Sequence, residues 1–184
     1  MNRLFAVLLG STLLAAPTAF GADPITVAKL YDGQLSGIQG EFVPLAEAMP
    51  ADKFDFAPTA GEFKGVRTFA QQCKHVAAVL YIVSASTLEQ KVPVDLGTSG
   101  ENGPDSVKTK DQVVKFLKDA FAYAHQATLS LTAKNELDML KSPFGQGETA
   151  RGSLAALLTW HSFDHYGQAV VYARMNGIIP PASR

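Results

Sequence analysis

Apolar residues recur along this chain at spacings of three and four, broken by stretches rich in proline, glycine and small polar residues. That rhythm predicts amphipathic α-helices. Val27, Tyr31, Ile38, Phe42 and Leu45 mark a first helix. Asp23-Pro24 offers it an N-cap followed by a proline, and Pro44 is expected to kink or end it. Gly33, Gly37 and Gly40 each weaken it by about 1 kcal/mol relative to alanine, while leaving room for a closely packed neighbour. Residues 50–65 hold two prolines and two glycines and read as a connector. Val66, Phe69, Cys73, Val76, Leu80 and Val83 then alternate threes and fours, the seam of a bundle helix. Gln72, His75, Val79 and Ile82 form a parallel stripe beside that seam. Residues 91–108 form a long loop of the kind that often makes a functional rim. Thr109 is placed to cap a third helix carrying Val113, Leu117, Ala120, Ala124 and Leu131. After a turn-rich stretch at 142–147, a fourth helix runs from near Thr149 to Asn176-Gly177, backed by Pro180-Pro181. No strand alternation and no repeat is evident. Four long amphipathic helices predict an all-α fold, a four-helix bundle.

The N-terminus is patterned differently. Arg3 precedes an apolar run over residues 4–16, too short to cross a bilayer comfortably. Pro17 and then Ala19-Phe20-Gly21 follow, the form of a secretory signal peptide cleaved after Gly21. The alternatives are a core helix or a membrane anchor. On the signal-peptide reading, residues 1–21 are an address and residues 22–184 a single exported domain, periplasmic or secreted and not inserted in a membrane after cleavage. No cysteine lies near the cleavage site to carry a lipid.

Composition narrows the function. Of 184 residues, 47% are apolar and 18% charged, a globular balance that excludes a disordered chain. The net charge is −1, and removing residues 1–21 takes away one arginine and no acid. Neither state provides an electrostatic grip on nucleic acid or an anionic membrane. Cys73 is the one cysteine, so no internal disulfide forms and stability must come from the core.

The histidines carry the chemistry. Leu154, Leu157, His161, His165, Gln168 and Tyr172 lie on one stripe of the fourth helix, and its leucines must face the core. Residues i and i+4 stack on one helix face, so His161 and His165 can share a metal ion. Two ligands hold a metal poorly; His75, on an otherwise apolar stripe of the second helix, is the candidate third. Three protein ligands leave a position open for water or substrate, as catalytic sites do. Imidazole suits zinc, nickel, copper or iron. Against this stands the plainer reading, in which a histidine on an apolar face is a hydrogen-bonded core residue. Asp164 is either the group that orients a ligand imidazole or a solvated acid. His125, at the edge of the third helix's apolar face, reads as structural, and Trp160 and Tyr166 as packing residues. Cys73 points about 200° away from His75 on a helix and reads as a small buried hydrophobe.

Several segments resemble the DinB/YfiT-like superfamily of metalloenzymes. They include Ala48-Met49-Pro50, residues 54–58 (Phe-Asp-Phe-Ala-Pro), Val66-Arg67-Thr68-Phe69 and Lys74-His75-Val76-Ala77. The most specific are residues 160–168 (Trp-His-Ser-Phe-Asp-His-Tyr-Gly-Gln) and residues 174–181 (Arg-Met-Asn-Gly-Ile-Ile-Pro-Pro), which resemble an exported subgroup. The resemblance implies an up-down-down-up bundle whose metal triad falls on His75, His161 and His165. It implies a divalent cofactor, zinc or nickel foremost, with iron, copper or manganese as other candidates. It also implies a small-molecule substrate, with thiols among those used by relatives, and is compatible with a homodimer, although no seam in the sequence marks one. The expected function is a metal-dependent hydrolase or thiol transferase. The alternatives are a non-enzymatic metal-binding or stress-related protein of the cell envelope, and a metal-free bundle whose histidines bond to one another. No G-x-S-x-G elbow, P-loop or dinucleotide fingerprint is present, and no Glu-x-x-His repeat suggests a di-iron centre.

Overall fold

The computed structural model describes residues 24–184, so the expected signal peptide lies outside the described residues. Among the described residues four long helices dominate: α1 (Val27–Ala48), α2 (Phe69–Thr87), α3 (Lys110–Leu129) and α4 (Arg151–Met175). None is long and apolar enough to cross a membrane. α2 packs on α3 and α4, and α1 packs on the same two. Residue pairs set the directions. The start of α2 meets the later part of α4 through Gln72 and Gln168, and its end, Thr87, meets Arg151 at the start of α4, so the two run antiparallel. Asp32 early in α1 meets His125 late in α3, and Lys110 at the start of α3 meets Glu47 at the end of α1. Tyr31 lies beside Gly152 and Phe42 beside Tyr166, so α1 and α4 run parallel. The order is therefore up-down-down-up, and the long segment between α2 and α3 returns the chain so that those two run parallel.

The helix that carries His75 is the most completely buried: on α2, residues from Phe69 to Thr87 face the core on nearly every side. Its start is fixed by a capping box. The Thr68 hydroxyl accepts from the Gln71 N–H, and the Gln71 side chain accepts from the Thr68 N–H at 2.8 Å, which satisfies two otherwise orphaned donors. α3 begins the same way with Thr109, as expected, and Gln112. Phe42, Phe69, Leu117, Phe121 and Leu158 fill the core.

Three local expectations change. α1 is capped by Thr26, whose hydroxyl accepts from the Lys29 N–H at 3.2 Å; Asp23 lies outside the described residues. Pro44 does not end the helix, which continues to Ala48. A proline removes the bond to the carbonyl four residues earlier. That residue is the exposed Gly40, where water can serve the carbonyl, while fully buried Leu45 and Ala46 hold the next turn in place. Thr149 lies just before α4, in a two-stranded antiparallel hairpin, β1 (Met139–Lys141) and β2 (Glu148–Ala150), with Leu140 opposite Thr149. The turn-rich residues 142–147 connect the strands.

The hairpin region supplies the start of α4 with the acceptors that its N-cap, Ala150, has no side chain to provide. Asp138 O accepts from the Arg151 N–H at 2.9 Å and Glu136 O from the Gly152 N–H at 2.7 Å. A Cβ on residue 152 would come to 3.1 Å from Glu136 O, which is why a glycine stands there. The nearly buried Arg151 guanidinium adds bonds to Thr87 O and to the Glu89 carboxylate, locking the start of α4 to the end of α2. His125 plays its expected structural role between α1 and α3. Its Nδ1 bonds the Asp32 carboxylate at 2.6 Å and its Nε2 bonds the Gln39 amide oxygen at 2.6 Å.

Replacing Thr68 with Ala is expected to cost about 1 kcal/mol of unfolding free energy, read as a lower urea midpoint with an unchanged slope. An unchanged midpoint would show that the box does not set the start of α2.

Candidate metal centre

Because α2 and α4 run antiparallel in contact, the inward face of one meets the inward face of the other halfway along. His75 on α2 and His161 and His165 on α4 converge there. One ligating atom from each can be chosen so that all three lie within 4.8 Å of one another. Ring centroids are 5.0 Å apart for His75 and His161, 4.6 Å for His75 and His165, and 4.5 Å for the α4 pair. His75 and His165 are only 5% and 7% exposed, and His161 is half-buried.

Hydrogen bonds fix two of the rings. His75 Nδ1 donates to the backbone carbonyl of Glu101 at 2.7 Å, so the long loop does form part of the site. His165 Nδ1 donates to Gln72 Oε1 at 2.5 Å. The Gln72 amide in turn donates to Gln168 Oε1 at 2.9 Å, and the Gln168 amide donates to the Asp164 carboxylate at 3.4 Å. A carboxylate only accepts. It therefore orients Gln168, Gln168 orients Gln72, and Gln72 leaves the proton of His165 on Nδ1. A carbonyl likewise only accepts, so His75 also carries its proton on Nδ1. In both rings Nε2 keeps its lone pair, as a metal-ligating histidine backed by an outer partner requires. Asp164 thus touches neither ring of the α4 pair through a hydrogen bond; it is exposed and acts at the far end of this chain. Gln72, noted in the sequence only as a member of the His75 stripe, is the residue that holds His165.

His75 Nε2 and His161 Nε2 are 3.2 Å apart. Metal–nitrogen bonds of about 2.0–2.1 Å place two ligands of a tetrahedral centre about 3.3 Å apart, so this pair has the spacing of two ligands of one divalent ion, with a ligating atom of His165 within 4.8 Å of both. Burial, first of all, pushes all three imidazole pKa values down. It is reinforced by the neighbouring histidines for His161 and His165, and by the Arg67 guanidinium for all three. His161 falls to about 3 and His165 to about 4. Near neutral pH the site is therefore a cluster of uncharged nitrogen donors, the form that binds metal. Cys73 is fully buried, with its thiol pushed up to about 12 by desolvation, and stands apart from the cluster as a small hydrophobe.

A cavity of about 300 Å³ opens onto His75 and His161. Val79, Leu157, Phe144 and Trp160 form its apolar wall, and Arg67 and Glu101 its polar one. Trp160 is 58% exposed and lines this cavity rather than packing in the core, contrary to the sequence-based expectation. It lies off the buried face of α4 that Leu154, Leu158 and His165 share. Tyr166 does pack, edge-on against Phe42 with ring centroids 5.8 Å apart. A larger cavity of about 600 Å³ shares Arg67 and is bordered by Gln72 and Gln168, but no histidine lines it. The smaller one is the cavity that His75 and His161 line.

The family model of the DinB superfamily matches residues 34–169. Among solved structures, a DinB-like protein from Bacillus cereus ATCC 10987 has the same fold, with a TM-score of 0.65 at 13% identity. The match covers 85% of this chain and 96% of that one. No curated protein matches the chain.

The depressed histidine pKa values set a pH dependence for the metal-free protein. The unfolded chain takes up protons near the ordinary value of 6.5, while folded His161 and His165 wait until about 3 and 4. Between those limits the unfolded state binds more protons, so stability falls as pH is lowered from about 6.5 towards 4. Urea midpoints across that range should fall more steeply for the parent than for His161→Ala. Parallel curves would show that the cluster is not buried in its neutral form.

Proposed function

The chain belongs to the DinB superfamily, and on that premise we propose that it binds one divalent metal ion through His75, His161 and His165 and acts as a metal-dependent hydrolase or thiol transferase on a small molecule. The observation that carries this reading is the convergence of three neutral imidazoles, two with their Nδ1 protons held by outer acceptors, beside an open cavity that His75 and His161 line. Zinc or nickel suits such a nitrogen set best; iron, copper and manganese are the other candidates. Bound there, a divalent ion supplies the Lewis acidity that brings the pKa of water or a thiol towards neutrality.

The chain's own residues do the rest. The Glu101 carbonyl and the Gln72 amide hold His75 and His165 in one orientation, so that no rearrangement is needed at the moment of binding. Val79, Leu157 and Trp160 offer an apolar surface to the substrate body. A cavity of about 300 Å³ favours a small organic molecule over a polymer, and it favours catalysis over metal storage, because a closed structural site has no use for such an opening.

Metal content by mass spectrometry tests the reading. The chain purified without tag and incubated with zinc or nickel should hold about one equivalent, and His75→Ala and His161→Ala little. Gln72→Leu should keep the ligands but bind about 10–100-fold more weakly. If the parent takes up no more metal than the two histidine variants, the histidines are a hydrogen-bonded core cluster and the reading fails.

A further inference from the structure

The two walls of the histidine cavity differ in chemistry, and the polar one carries a cation whose charge is incompletely used. Arg67 stands just before α2. Its Nε and Nη2 both donate to Asn102 Oδ1, at 3.1 and 2.8 Å. Asn102 is neutral, so these bonds position the guanidinium without cancelling its charge. The nearest carboxylate, that of Glu101, is 3.9 Å away, beyond hydrogen-bond distance, and about half exposed. A guanidinium presents five N–H donors in a planar fork; among the described residues, Nη1 has no acceptor. The same cavity is lined by Val79, Leu157 and the exposed indole of Trp160.

We propose that Arg67 is the anion anchor of this cavity, and that the substrate class is a small organic carboxylate: its carboxylate is held by the Arg67 fork, its apolar body lies against Trp160 and Leu157, and its reacting end faces His75 and His161. The proposal rests on the metal-site reading for the last of these points only. The fork geometry matches a carboxylate, which it can bind through two parallel bonds. Charge also favours a monoanion, since Glu101 on the same wall would oppose a doubly charged phosphate. The Arg67 guanidinium is close enough to depress the pKa of all three histidines, so an anion held by it sits within electrostatic reach of the site. With three neutral ligands, a divalent ion would keep its full charge, which gives the cavity a further preference for an anionic guest.

Trp160 is the chain's only tryptophan, and its emission reports directly on the cavity. The test titrates phenylacetate and its neutral counterpart phenylacetamide into the metal-stripped and the zinc-incubated protein, with excitation of Trp160 alone. The metal-stripped form matters because a carboxylate could otherwise bind a metal directly. Phenylacetate should perturb Trp160 saturably and bind more tightly than phenylacetamide in both preparations. Arg67→Gln should weaken phenylacetate about tenfold or more, with the amide unaffected, and Arg67→Lys should retain part of the preference. Asn102→Ala, which keeps the guanidinium but removes the bonds that position it, should weaken phenylacetate less than Arg67→Gln and keep part of the preference for the acid. Equal binding of acid and amide overturns the proposal, as does an unchanged Arg67→Gln, an Asn102→Ala that behaves like Arg67→Gln, or no response of Trp160 to either probe. If zinc is not taken up but the Arg67-dependent preference is present, the anchor stands and the metal reading fails. Zinc uptake without the preference has the opposite meaning.

Discussion

Three imidazoles buried side by side are the constraint on which the rest of this structure depends. Polar rings removed from water cost free energy unless their donors and acceptors are satisfied. Here two of the three are satisfied on the outer side, by the Glu101 carbonyl and the Gln72 amide. On the inner side the nitrogen lone pairs face one another across 3.2 Å in the closest pair. A divalent ion would resolve that arrangement by turning the competing lone pairs into ligands. Without one, a hydrogen bond between His161 and His75 is the best the cluster can do, and protons are held off by burial.

The fold serves that constraint. Antiparallel contact of α2 with α4 brings residue 75 level with residues 161 and 165, and both ends of the pair are locked. At one end Arg151 bonds Thr87 and Glu89; at the other Gln72 bonds Gln168. The capping box at Thr68 sets the phase of α2, and the carbonyls of Glu136 and Asp138 set the start of α4. A slip of one residue in either helix would swing a histidine by about 100° and dissolve the site. The α1–α3 side of the bundle, with its Asp32–His125–Gln39 bridge, is remote from the chemistry and acts as support.

Much of this was legible in the sequence because helical periodicity speaks about faces. The leucines ahead of His161 and His165 fixed which way that pair pointed, and Val79 and Ile82 did the same for His75. The bundle and the cap at Thr109 followed from the same patterning, and the up-down-down-up order from the family resemblance. What stayed hidden has physical reasons. The hairpin strands are three residues each, too short to show alternation. Pro44 was read by its local rule, whereas exposure of Gly40 and burial of Leu45 decided the outcome. The acceptor of His75 is a backbone carbonyl, which has no residue type to read. Gln72 did carry a signal, standing three residues before His75 on its stripe as Gln168 stands three after His165, but only the packing of α2 on α4 makes those two glutamines meet. Asp164 was noticed for its nearness to His161 along the helix, yet it acts through Gln168 instead.

The most direct test of the central claim is X-ray absorption on the zinc-loaded protein at neutral pH. The account predicts a first shell containing three imidazole nitrogens at about 2.0 Å with one or more exchangeable oxygen ligands. A shell lacking the multiple scattering of three imidazoles, or one dominated by carboxylate oxygens, would place the metal elsewhere and contradict the account.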